Sequence, residues 1–133
     1  MYCLDTNIAI DIFRGDNTLK VKVAEVSARG DLAYITTITL CELYKGAYAI
    51  KSKQKMENEL RVIKEFLQSN DLIALDESSC EEFGKVHFQL SIIGKPIPEP
   101  DLMIASIAKS HNLILVTRDK KHFENIDVKV EVW

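Results

Sequence analysis

A basic surplus is the first thing missing from this sequence: 17 Lys and Arg stand against 20 Asp and Glu, a formal net charge of -3. Domains that hold nucleic acid by general electrostatic attraction usually carry a clear basic excess, so contact with a polyanion would need local basic patches or bound cations. Cysteine is scarce as well. Cys3, Cys41 and Cys80 are odd in number and far apart, which argues against a disulfide framework or a CxxC metal knuckle and points to a reducing compartment. There is no His/Cys set with zinc spacing, and His87, His111 and His122 read as isolated surface or core residues.

Long apolar runs are also absent, none approaching the ~20 residues that span a bilayer. The N-terminus has no basic leader, and Asp5 and Asp11 interrupt the run that a signal-peptide core would need. A soluble cytoplasmic protein is expected. Gly and Pro number only 5 and 3, and there is no internal repeat, low-complexity segment or linker; residues 96–100, rich in Pro, form a loop too short to divide domains. The 133 residues are expected to form one globular domain, folding of which removes roughly two thirds of the unfolded surface from water.

What the sequence does contain is an alternation of short apolar runs with helical periodicity. Strands are predicted at residues 2–4, 32–35, 72–75, 113–116 and 127–133, and helices at 6–13, 19–29, 38–50, 53–68, 76–93 and 99–111. Within 53–68, Met56, Leu60, Ile63 and Leu67 recur at helical spacing with charges between them. Continuously apolar strands separated by helices predict a parallel sheet covered on both faces.

Ligands of such sheets bind beyond the carboxyl ends of the strands, where loops converge. Asp5 follows the first strand and Asp119, within Thr117-Arg118-Asp119, follows the fourth. Each reads equally as a helix or turn cap. Glu42 shares a helical face with Gly46 and Ala49, small residues that would admit a packed seam, or else bridges to Lys45 at the surface. Asp101 falls in the first turn of the sixth helix, where the macrodipole favours an anion and where aspartate is usually structural. Four acids converging on one crevice could not all stay ionised without counter-charge, and a hard divalent cation such as Mg²⁺ or Mn²⁺ suits oxygen ligands.

The stretches LDTN, LCE, PDLMIASIA and LVTRDKKHF, in that order from Met1 to Phe123, resemble the PIN-domain ribonucleases, most closely the VapC toxins of toxin-antitoxin pairs. The resemblance implies an α/β fold, a PIN-like three-layer α/β/α arrangement with a central parallel sheet of four to five short strands. It also implies Mg²⁺- or Mn²⁺-dependent hydrolysis of RNA phosphodiester bonds. Asp5 and Asp101 match the family's metal ligands, and Glu42 and Asp119 its two further catalytic and metal-site acids. Thr6, Asn7 and Thr117 match its supporting polar residues. Glu99 is read as solvent-facing. Partners implied are RNA, a small antitoxin and a second copy of the chain, a homodimer for which the apolar residues between Ile38 and Leu67 offer a surface as well as ordinary core.

Arg14, Lys45, Arg118, Lys120 and Lys121 are candidate RNA contacts at the rim, with a further run at Lys51, Lys53 and Lys55. Three rivals stay open. A haloacid-dehalogenase-like phosphohydrolase expects a second aspartate where this chain has Asn7, and a phosphoacceptor receiver domain expects adjacent acids after the first strand. A catalytically silent PIN-fold regulatory protein would keep the fold without turnover.

Overall fold

Successive residues of a strand face opposite ways, and in the first strand that sends Cys3 and Leu4 into different cores. The computed structural model, which describes Met1–Trp133, shows this division through the whole molecule. Strands β1 (Tyr2–Leu4), β2 (Ala33–Thr36), β3 (Leu72–Ile73), β4 (Ile114–Thr117) and β5 (Val130–Val132) form one sheet in the order β3-β2-β1-β4-β5, with every pairing parallel. Cys3 pairs with Leu115 and Leu4 with Val116 across β1 and β4, so each pair shares a face.

Helices α5 (Glu77–Ile92) and α6 (Glu99–Ser110) cover the Cys3 face, where Val86, Leu90, Leu102, Ile104 and Phe123 are buried. Helices α1 (Thr6–Arg14) and α2 (Asn17–Ala28) cover the Leu4 face through Ile8, Ala9, Ile12 and Leu19. The result is the three-layer α/β/α arrangement with five strands and six helices. Helices α3 (Thr37–Tyr48) and α4 (Lys53–Gln68) form a hairpin with its own small core of Leu43, Ala47 and Ile63. Most apolar residues there pack on one another, leaving Tyr48 as the large exposed one.

Local chemistry sets the boundaries. Gly15, at φ 101°, closes α1 by donating its backbone N–H to the carbonyls of Asp11 and Ile12, a left-handed cap that a side chain would strain. Thr36 ends β2 because its hydroxyl accepts from the N–H of Thr39 and caps α3. With Thr36 paired to Ile73, the edge strand β3 has no partner beyond that point and stops short of the predicted Leu75. Asp76 caps α5, and hydrogen bonds from the Ser79 hydroxyl, its backbone N–H and the Ser78 hydroxyl hold its carboxyl well below the usual carboxylate range. His111 lies 3.0 Å from Asp76. β5 likewise pairs only at Val130–Val132, shorter than predicted.

The three cysteines are free, Cys3 buried and Cys41 and Cys80 exposed. Burial, and secondarily the neighbouring Asp5 charge, pushes the Cys3 thiol up to about 12. The thiolate is the reactive form, so iodoacetamide at pH 8 is expected to modify Cys41 and Cys80 in the native protein and Cys3 only after denaturation. Mass spectrometry showing three adducts on the folded chain would contradict this packing.

Candidate functional site

Sequence order and sheet order part company between β1 and β4. The chain leaves β1 for β2 on one side and returns to β4 on the other, which opens a crevice at the carboxyl ends of these two strands. Asp5 and the segment Thr117-Arg118-Asp119 project from those ends. The first turn of α6 brings Asp101 to the same place, and a polar cleft of about 150 Å³ forms around these groups with Asn7 and His122. A larger groove beside Phe13 and Phe66 is richer in apolar lining and holds no comparable set of converging acids.

Asp5 is only 6 % exposed and caps α1. Its Oδ1 accepts from the backbone N–H of Thr6 at 2.8 Å and its Oδ2 from the Thr117 hydroxyl at 2.9 Å. The Thr117 hydroxyl in turn accepts from the backbone N–H of Asp119 at 3.2 Å. Burial raises the Asp5 carboxyl above its ordinary value; the hydrogen bonds from Thr117 and Thr6 pull it back, Asp101 pushes it up further and His122 pulls it down. Thr6 is also tied outward, its hydroxyl 3.0 Å from that of Thr39 on α3. Of the two polar residues after Asp5, Thr6 therefore braces the turn to a neighbouring helix, while Asn7 lines the cleft.

Asp119 opens the 3₁₀ turn Lys120–Phe123 and accepts from the backbone N–H of His122 at 3.2 Å. The His122 ring reaches across to Asp101, Nε2 to Oδ2 being 2.9 Å. The reading of His122 as an isolated surface or core residue is therefore corrected: the loop between β4 and β5 carries it onto the start of α6. The available sequence signal was its place three residues after Asp119, the spacing of a side chain capping a turn.

Glu42 is not among the residues that line this cleft. It pairs with Lys45 on its own helix at 3.0 Å, the surface alternative, and the packed seam does not form: Ala49 is exposed, and a Cβ on Gly46 would meet nothing within 4 Å. Glu99 is exposed, as expected. Three of the five rim cations are engaged with acids, Arg14 with Glu59 at 2.9 Å, Lys45 with Glu42, and Arg118 with Asp11 at 2.8 Å and Asp16 at 3.5 Å. Lys120 and Lys121 are exposed and form no ion pair. No helix is long and apolar enough to cross a membrane.

The arrangement joins two carboxylates in a shielded cleft, a third at its rim and two free lysines on the adjoining turn. The PIN domain family profile matches residues 2–129. The tRNA(fMet)-specific endonuclease VapC of Shigella flexneri is 34 % identical over 99 % of this chain and 97 % of its own length. Ribonuclease VapC2 of Haemophilus influenzae is 32 % identical over the same shares. Among solved structures, DNA-bound VapBC from Salmonella typhimurium superposes with a TM-score of 0.86 at 29 % identity, covering 99 % of this chain and 97 % of that one.

Proposed function

This chain belongs to the PIN-domain family, with VapC ribonucleases as full-length relatives, and on that premise we propose that Asp5 and Asp101 hold a divalent cation for RNA hydrolysis. The chain is a VapC-type endoribonuclease, the toxin of a type II toxin-antitoxin system, and its protein partner is a cognate antitoxin. Family membership removes the phosphohydrolase and receiver-domain readings of Asp5. The observation that carries the site assignment is the meeting of buried Asp5 with Asp101 at the β1/β4 crevice, in a cleft lined by Thr117 and Asp119.

Asp5 and Asp101 give the cleft two carboxylate donors; no group of three or more His, Cys, Asp or Glu is arranged to hold a metal, so a cation there would take its remaining ligands from water and phosphate. Carboxylate oxygens suit Mg²⁺ or Mn²⁺, and positive charge between Asp5 and Asp101 offsets both the burial and the mutual repulsion that raise the Asp5 carboxyl. When bound, the cation supplies Lewis acidity, making water a better nucleophile and balancing charge on the scissile phosphate. Thr117 holds Asp5 Oδ2 in place, while Thr6 ties the same turn to α3. Asp119, exposed at the rim of the cleft, would orient the attacking water. Glu42 serves as an outer acid, reached by breaking an exposed pair with Lys45 of the kind worth about 0–1 kcal/mol. Lys120 and Lys121 contact backbone phosphates flanking the cut; Arg118 acts first as a tether between the β4 loop and the α1–α2 junction.

Purified protein is expected to cleave end-labelled tRNA(fMet), the substrate in a relative's name, in Mg²⁺ or Mn²⁺ and not in EDTA. Cleavage of none of a broad set of structured RNAs in either metal, or equal cleavage in EDTA, would overturn the reading. Expression should arrest growth, and Asp101→Asn or co-expressed antitoxin should relieve it.

A further inference from the structure

His122 sits in the cleft without a task in the reaction outlined above. A carboxylate only accepts hydrogen bonds, so at 2.9 Å the Nε2 of His122 is the donor and Oδ2 of Asp101 the acceptor. It is the one side chain hydrogen-bonded to Asp101, whose helix begins at Pro98 without a side-chain cap. The ring is itself fixed. Its backbone N–H is held by Asp119, and its plane meets that of Phe123 edge-on, centroids 4.9 Å apart at 82°, with Phe123 buried in the core. A rigid turn thus aims one donor at one oxygen of Asp101 and leaves Oδ1 without a hydrogen-bond partner.

We propose that His122 is a positioning residue that fixes Asp101 for coordination through one oxygen, and so biases the cleft toward small six-coordinate cations over Ca²⁺. This rests on reading the cleft as a metal-dependent nuclease site. Mg²⁺ demands near-octahedral geometry with single-oxygen carboxylate contacts, whereas Ca²⁺ readily accepts both oxygens of one carboxylate. Outer-shell partners of this kind typically set metal affinity by about 10–100-fold. A freely rotating Asp101 would give up that preference.

The test is calorimetric titration of the full chain with Mn²⁺ and with Ca²⁺, without RNA, supported by the Mn²⁺ electron paramagnetic resonance spectrum. His122→Ala should weaken Mn²⁺ binding by about 10–100-fold and shift the Mn²⁺ to Ca²⁺ affinity ratio toward Ca²⁺. His122→Gln, which retains an N–H donor, should recover most of both. Should His122→Ala fail to fold, His122→Phe keeps a ring against Phe123 but has no donor, and its contrast with His122→Gln decides. Wild-type affinity and ratio in the donor-less variants, or no recovery in His122→Gln, would overturn the assignment while leaving the nuclease reading intact. A wild-type chain that neither binds Mn²⁺ nor cleaves RNA would overturn both.

Discussion

Asp5→Asn should lower RNA cleavage by well over ~100-fold, beyond what loss of an outer-shell partner produces, while leaving the metal-free protein as stable as wild type or more so. The two effects separate because the substitution removes charge and keeps shape. The amide oxygen still accepts from the Thr6 N–H, and the amide nitrogen faces the Thr117 hydroxyl, which has acceptor capacity left beside its bond from Asp119. What disappears is the anion that burial and Asp101 together disfavour. Functional sites often hold such destabilising groups, and their removal commonly raises stability as it ends activity. Thermal melts in EDTA and initial cleavage rates in Mn²⁺ measure both halves; near-wild-type cleavage would contradict the ligand role.

Phe123→Ala carries the largest expected effect on stability. The ring is 2 % exposed, packed in the core beneath α6 and Leu115, and emptying such a site costs about 3–5 kcal/mol. Against a typical total of roughly 5–15 kcal/mol this is a large share, and Tm should fall by about 10 °C or more. The damage would not stop at the core. Phe123 closes the 3₁₀ turn that carries Asp119 and His122 and itself lines the cleft, so cleavage should fall even at temperatures where the variant remains folded. Circular dichroism melts with cleavage assays well below Tm check the pair of outcomes. A shift of only a degree or two would show that the ring is not the anchor of this turn.

How far the amino acids alone announce this site depends on which group is considered. Asp5 is readable because three apolar residues make a strand and the polar break that follows falls at its carboxyl end. Asp101 is readable because Pro98 and Pro100 mark a helix start, and the helix behind it is apolar on nearly every side. Asp119 reads as a post-strand acid for the same reason as Asp5. Glu42 marks where periodicity runs out: a face of small residues is equally consistent with a seam and with open surface, and only packing distinguishes them. The predicted edge strands run too long because Leu75 is apolar beyond the last β3 pairing and Val128 is apolar before the first β5 pairing.

The cations and His122 fail for a different reason. Arg14 and Arg118 look free in sequence because their partners, Glu59 and the Asp11–Asp16 pair, come from other elements. His122 lies 21 residues from Asp101 and meets it only once the β4–β5 loop folds back across the start of α6. Side chains with local partners are visible from spacing; those completed by the topology are not. The same distinction makes Asp5, Asp101 and Asp119, each at or near an element boundary, legible in the sequence.

The most direct measurement is anomalous diffraction at the manganese edge from crystals soaked in Mn²⁺. A peak between the carboxylates of Asp5 and Asp101, absent from Asp5→Asn crystals grown in the same form, is the predicted result. An active protein whose manganese lies elsewhere, or whose peak survives Asp5→Asn unchanged, would contradict the assignment of this cleft as the catalytic metal centre.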